Sequence, residues 1–141
     1  FPDAVFDLLI AKHVVEHLSH PDQAMAEMSR VLKPGGLLIL ATPNLSSMMR
    51  KRKQDHWTGY KDPTHISLRA PEDWLSSLRL NGLQPHRVFS DGFWDSPYIP
   101  VVPAPLQKLI FGFPGGLQAI LGWSIIPVRM GESLIILAEK A

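Results

Sequence analysis

His13, Glu16, His17 and His20 stand close together near the start of the chain, and the later segment Asp62-Pro63-Thr64-His65 brings a further imidazole. An imidazole titrates near neutral pH and can accept the proton of a hydroxyl nucleophile, which makes His17 and His65 the candidate catalytic bases. Fastening a loop is the structural alternative for both. Neutral imidazoles are also zinc ligands. The order E-H-x-x-H over 16–20 nevertheless lacks the H-E-x-x-H pattern that sets two histidines on one helical face, and Pro21 puts His20 at a helix start. No metal site is expected. His56, Trp57 and Tyr60 are the candidate substrate-binding residues, since Trp and Tyr offer flat apolar faces with polar tips; core packing is their alternative. The run Arg50-Lys51-Arg52-Lys53 reads as a solvated face, or as a patch for an anionic membrane surface because Leu45, Met48 and Met49 precede it. No nucleic-acid-binding motif accompanies it, so no nucleic-acid partner is expected.

The elements that must position these residues follow from periodicity. Ala4 to Ala11 is an apolar run broken only by Asp7, too short for a typical helix, and predicts a strand. Leu37 to Ala41 predicts a second, and both read as parallel strands buried on two faces. Between them Pro21 and Asp22 suit a helix start, Ala24, Met28, Val31 and Leu32 fall on one helical face, and Pro34-Gly35-Gly36 ends the helix. A second helix is expected over Pro71 to Leu80 with Trp74, Leu75 and Leu78 inward, then strands at His86 to Ser90 and Leu134 to Glu139. Residues 45–69 form a long substrate-side connection. Residues 98–130 are apolar and rich in proline and glycine; Lys108 and Phe113-Pro114-Gly115-Gly116 predict two short helices in a lid or interfacial hairpin, not a membrane span.

Composition sets the bounds. The 141 residues, 45% hydrophobic, suffice for one core. A net charge of +1 argues against a protein built around nucleic acid. The absence of cysteine removes disulfides, zinc-thiolate sites and thiol nucleophiles, and allows a reducing compartment.

The stretch FDLLIAKHVVEHLSHPDQAMAEMSRVLKPGGLLILATPN, with its V-E-H-L loop and K-P-G-G turn, resembles the middle of a class I S-adenosylmethionine-dependent methyltransferase of the type 11 group. Asp62-Pro63-Thr64-His65 resembles a segment that precedes the substrate-side helix in the same group. The resemblance implies an α/β fold: a partial Rossmann-like sheet of strands four to seven, in the order four, five, seven, six, with the last strand antiparallel and helices flanking it. It implies S-adenosylmethionine as cofactor, with Ala11, Lys12 and His13 after the fourth strand as cofactor-binding positions, because ligands of such sheets sit outside the carboxyl ends of the strands. A small-molecule or lipid-like acceptor and a cytoplasmic setting, with peripheral membrane contact, are further implications.

The chain has no G-x-G-x-x-G-like loop, and Gly35-Gly36 follows a helix rather than opening one. The expectation is therefore that residues 1–141 form the C-terminal part of one methyltransferase domain whose glycine-loop half is missing, that this piece is inactive alone, and that residues 4–11 self-associate as an open edge. The alternative is a non-catalytic module that docks on a membrane or partner.

Overall fold

Four strands form one open sheet in a computed structural model that describes residues 1–141. They are β1 (Phe6–Lys12), β2 (Leu32–Pro43), β3 (Leu83–Ser90) and β4 (Ser133–Lys140), in the spatial order β1-β2-β4-β3. β1 runs parallel to β2, while β4 runs antiparallel to both of its neighbours, β2 and β3. This is the strand order that the resemblance implied.

Helix α1 (Pro21–Val31) carries the chain from β1 to β2. Pro21 occupies its first turn, where a missing N–H leaves nothing unpaired, and Asp22 and Arg30 sit at the ends that suit their charges. Of the expected face, Val31 and Leu32 are buried and Met28 packs against the core, while Ala24 is half-covered; Met25, not expected there, is fully buried. Pro34-Gly35-Gly36 is not a separate turn either. It lies within β2, and the pairing of β1 skips from Phe6↔Leu32 to Leu8↔Leu37. The segment is thus a bulge. A Cβ on Gly36 would lie 3.2 Å from the Phe6 carbonyl oxygen, so the side-chain-free residue lets β1 come close.

β1 is also less buried than an apolar run suggests. Leu8 and Ile10 are exposed, as is Leu37 on β2, because β1 closes one edge of the sheet and has a neighbour on one side only. The core lies further in, where Met25, Leu38, Leu40, Leu134 and Ile136 meet Trp74 and Leu78 of helix α4 (Pro71–Leu80). Leu75, expected inward with them, is partly buried against this cluster.

The two long connections are structured. Residues 45–69 hold helices α2 (Met48–Lys53) and α3 (Thr58–Lys61); the Ser47 hydroxyl accepts the Met49 N–H at 3.3 Å to start α2. Residues 98–130 contain a single 3-10 turn at Val128–Met130 and, in place of two short helices, one long α-helix, α5 (Ala104–Leu121). Pro114 lies inside it, and Gly115 serves contact instead of a break: a Cβ there would fall 2.1 Å from the Asp91 carbonyl oxygen.

Helix α5 also faces outward with its apolar side. Leu106, Leu109, Ile110, Phe113, Leu117, Ile120 and Leu121 recur at helical spacing and are exposed, while Gln107 and Gln118 are buried. Gln107 takes the Tyr98 and Ile99 N–H groups and donates to the Ile99 and Val102 carbonyls; Gln118 takes the Ile125 and Ile126 N–H groups. No helix is long and apolar enough to cross a membrane.

Candidate active site

The loop after β1, the end of β2, residues 57–65 and the start of β4 converge on a cavity of about 280 Å³. Its walls include His13, His17, Trp57, His65, Trp94 and Glu132. The volume suits a small acceptor, or one end of a larger molecule.

His13 opens the site in a left-handed conformation, φ +51°, with its N–H on the Ala41 carbonyl at 2.8 Å. A residue with a Cβ is strained there, and such strain gathers at binding sites. The bend sends the chain away from the sheet and brings Glu16 beneath it. Glu16 is fully buried, and its Oε1 accepts the His13 Nδ1–H at 3.0 Å. Burial opposes its charge, but the bond from His13 and a backbone hydrogen bond outweigh that and hold its pKa below the ordinary value. Its second oxygen, Oε2, is buried and meets no hydrogen-bond partner.

His17 and His65, far apart in sequence, lie with ring centroids 4.7 Å apart. His65 Nδ1 is 2.8 Å from the Gly59 carbonyl, which can only accept, so Nδ1 carries the proton. His17 Nδ1 is 3.2 Å from the Thr64 carbonyl and 2.9 Å from the Thr64 hydroxyl. That hydroxyl donates to Asp62 Oδ1 at 2.5 Å, so it too accepts from His17. The hydroxyl and amide of Thr64 together lower the Asp62 pKa. In its neutral form each imidazole therefore keeps a bare Nε2. Ser67 ties the two segments, its N–H on the Glu16 carbonyl at 2.9 Å and its hydroxyl on the Leu18 carbonyl at 2.6 Å.

The opposite wall is organised by Glu132, just before β4. Its carboxylate accepts Trp57 Nε1–H at 2.6 Å, the Tyr98 hydroxyl at 2.8 Å and the Ser47 hydroxyl at 3.3 Å. Burial raises its pKa despite these bonds, and burial beside Glu132 likewise raises that of Tyr98.

Of the expected residues, His13, His17, Trp57 and His65 line the cavity. Ala11 is buried at the end of β1, and the Lys12 side chain is exposed beside it. His56 is exposed and outside the cavity. Tyr60 is outside it too; its ring packs edge-on against Trp57 at 5.0 Å and its hydroxyl accepts from Arg50 at 2.7 Å. Sequence reasoning missed Glu132 and Trp94. The signal for Glu132 was its isolation, as the first acidic residue after Asp95.

Residues 1–40 match the family model described as Methyltransferase domain, Methyltransf_11. Over 40 residues the chain is 50% identical to the ubiquinone/menaquinone biosynthesis C-methyltransferase UbiE of Laribacter hongkongensis, a match covering 28% of this chain and 16% of the relative. Its fold matches a SAM-dependent methyltransferase from Archaeoglobus fulgidus (TM-score 0.64, 19% identity, 99% of this chain and 62% of that one). It also matches a SAM-dependent methyltransferase from Thermotoga maritima (TM-score 0.68, 17% identity, 100% and 58%). The fold is that of a class I methyltransferase, and the first forty residues carry the methyltransferase-domain family's sequence. The cofactor of that class is S-adenosylmethionine. The chain spans about three fifths of these solved relatives, and its matched segment about a sixth of the curated one.

The residues present fit one end of that cofactor. A sulfonium is a cation, and a cavity walled by Trp57, Trp94 and the carboxylates of Asp62 and Glu132 supplies the aromatic faces and negative charge that a cation requires.

Proposed function

We propose that this chain is the acceptor-side portion of a methyltransferase that moves a methyl group from S-adenosylmethionine to a small-molecule or lipid-like acceptor. The observation that carries this reading is the convergence of His17, His65, Trp57 and Glu132 on one cavity beside the end of β1. Ala11, Lys12 and His13 would line the cofactor. When bound, it supplies a methyl group already activated for displacement. The protein's part is then to position the acceptor and exclude water. Trp57 and Trp94 bound the acceptor's space, and the bare Nε2 of His17 or His65 takes the proton of an acceptor hydroxyl.

A lipid-like acceptor and contact with a membrane surface are favoured by α5. Its apolar face is exposed, and its opposite side reaches the cavity wall through Phe111, packed 5.3 Å from the Tyr98 ring that is bonded to Glu132. Residues 96–131 contain no acidic side chain, and Arg50, Lys51 and Arg52 lie on α2 close by, where Arg52 Nε donates to the Tyr98 carbonyl at 3.1 Å, while Lys53 turns inward to pair with Asp95. That balance suits anionic lipid.

Calorimetric titration of S-adenosylmethionine tests the central reading, with this chain and a form extended upstream by about 100 residues, the size of a missing half-domain. Binding by the extended form alone is expected, and it would also account for inactivity of the shorter piece. Binding by neither would overturn the methyltransferase reading. The exposed edge at residues 4–11 would pair two copies of the shorter piece; a single monomeric species in concentrated sedimentation runs would contradict that.

A further inference from the structure

Three metal-ligating side chains come together where the loop after β1 meets residues 57–65. Glu16, His17 and His65 each bring one nitrogen or oxygen into a group whose members lie within 4.8 Å of one another. Both histidine Nδ1 atoms are committed as donors, to the Thr64 carbonyl and hydroxyl and to the Gly59 carbonyl, which leaves Nε2 as a lone pair on each ring. Glu16 Oε1 is occupied by His13, while Oε2 is buried without a partner. His65 Nε2 is 3.8 Å from the nearest Asp62 oxygen, too far for a hydrogen bond. A buried carboxylate oxygen with no donor, set beside two imidazoles, is stabilised when a cation lies among them.

We propose that Glu16, His17 and His65 form a binding site for a divalent transition metal of the zinc type. Two imidazoles and one carboxylate are a ligand set that zinc accepts, and with three protein ligands one coordination position stays open. Tetrahedral bonds of about 2.0–2.1 Å put ligand atoms about 3.3 Å apart, so the three draw inward when the ion enters. The supports behind them are those metal histidines use: each ring donates its far N–H to a carbonyl, His17 is further held by Thr64 and Asp62, and His13 braces the carboxylate. This set differs from the His13, His17 and His20 grouping that the sequence suggested and then excluded; His20 instead bonds Ser19 at 2.9 Å. With the ion in place both Nε2 lone pairs are taken up, so the proton-accepting role of His17 or His65 belongs to the metal-free chain, and the open position would instead face the cavity and take an oxygen of the acceptor; that clause alone rests on the methyltransferase reading.

The test is titration of zinc chloride and cobalt chloride into the EDTA-treated 141-residue chain, without cofactor, followed by calorimetry and visible absorption. One saturable equivalent and the intense visible bands of four-coordinate cobalt are expected. Glu16→Gln and His65→Ala should each weaken binding at least about tenfold, and Thr64→Val, which removes the hydroxyl that supports His17 and Asp62, about 10–100-fold. His20→Ala should leave binding unchanged. Circular dichroism checks folding; where Glu16→Gln fails to fold, the half-buried His65→Ala decides. Absence of a saturable equivalent, or an unchanged affinity in folded Glu16→Gln or His65→Ala, overturns the proposal. So does a nuclear magnetic resonance signal for an Nε2-bound proton on His17 or His65 that zinc does not displace. Because no cofactor is present, failure here is distinct from failure of the S-adenosylmethionine titration.

Discussion

Replacing Glu132 tests how the cavity wall is held. Its carboxylate is nearly inaccessible and gathers three donors from three segments: Trp57, Tyr98 and Ser47. In Glu132→Ala those donors lose their acceptor; all three residues are buried, but Ser47 is bonded at only 3.3 Å and its hydroxyl can rotate, so Trp57 and Tyr98 carry the cost. A buried donor left unpaired costs about 1–3 kcal/mol, so two cost about 2–6 kcal/mol. Relief of the buried carboxylate offsets part of this, leaving a loss of about 3 kcal/mol. With a urea slope of about 2 kcal/mol per molar, the midpoint should fall by about 1.5 M. Glu132→Gln keeps the shape and one acceptor and should cost about 1 kcal/mol at acid pH. Because burial raises the folded-state pKa of Glu132, its contribution to stability is fully present below about pH 4 and is lost as pH rises through the folded value. The permanently neutral glutamine has no such loss, so the gap between wild type and Glu132→Gln should narrow from pH 4 to pH 7. Urea titrations at both pH values measure it. A gap that widens with pH would show that the three hydrogen bonds outweigh burial and would refute this reasoning, as would an alanine variant within about 0.3 M of wild type.

Asp22 behaves in the opposite sense: hydrogen bonds from Arg69 and Ser77 hold its pKa at about 2. Its stabilisation is present above about pH 4 and is lost as pH falls through 2; since the carboxylate is largely exposed, Asp22→Asn should cost no more than about 1 kcal/mol at pH 7 and flatten the acid limb of the stability profile. Gly115→Ala should lift α5 from the loop after β3, since its Cβ would meet the Asp91 carbonyl, and cost about 1–3 kcal/mol in thermal or urea unfolding; an unchanged stability would refute the contact. Leu109→Glu with Ile120→Glu, both on the exposed stripe, should abolish co-sedimentation with vesicles of phosphatidylglycerol while leaving the fold unchanged. Equal recovery of wild type and variant would count against the lipid-facing role of α5.

The sheet was readable in the sequence because its strands are short apolar runs bounded by turn residues, and the α4 face because Trp74 and Leu78 repeat at helical spacing. The same patterns misjudged β1: an apolar run states hydrophobicity, not what stands beside it, and Leu8 and Ile10 lie exposed at the sheet edge. They misjudged α5 because Pro114 and the glycines read as breakers, while their neighbours in space, Asp91 and Gly92, lie more than twenty residues earlier in the chain. His17 and His65 could each be chosen as an imidazole near a turn. Their meeting at 4.7 Å depends on Ser67 and Thr64 tying two distant loops together, which no local spacing encodes. Glu132 escaped because its partners come from residues 47, 57 and 98.

The insertion of β4 between β2 and β3 has a consequence for how the molecule is made. β4 pairs with Leu37–Pro43 on one side and Leu83–Ser90 on the other, and β2 and β3 do not pair with each other. In order of synthesis, β3 has no strand partner until residues 133–140 have left the ribosome, and β2 has only β1. Only the β1–α1–β2 unit can close early, from contacts near in sequence. The remainder must wait for contacts spanning about 90 to 100 residues, which makes folding slow and leaves β3 without a strand partner and one edge of β2 open in the meantime. A ribosome-stalled chain ending before Ser133 should therefore engage chaperones and resist folding however long it is held.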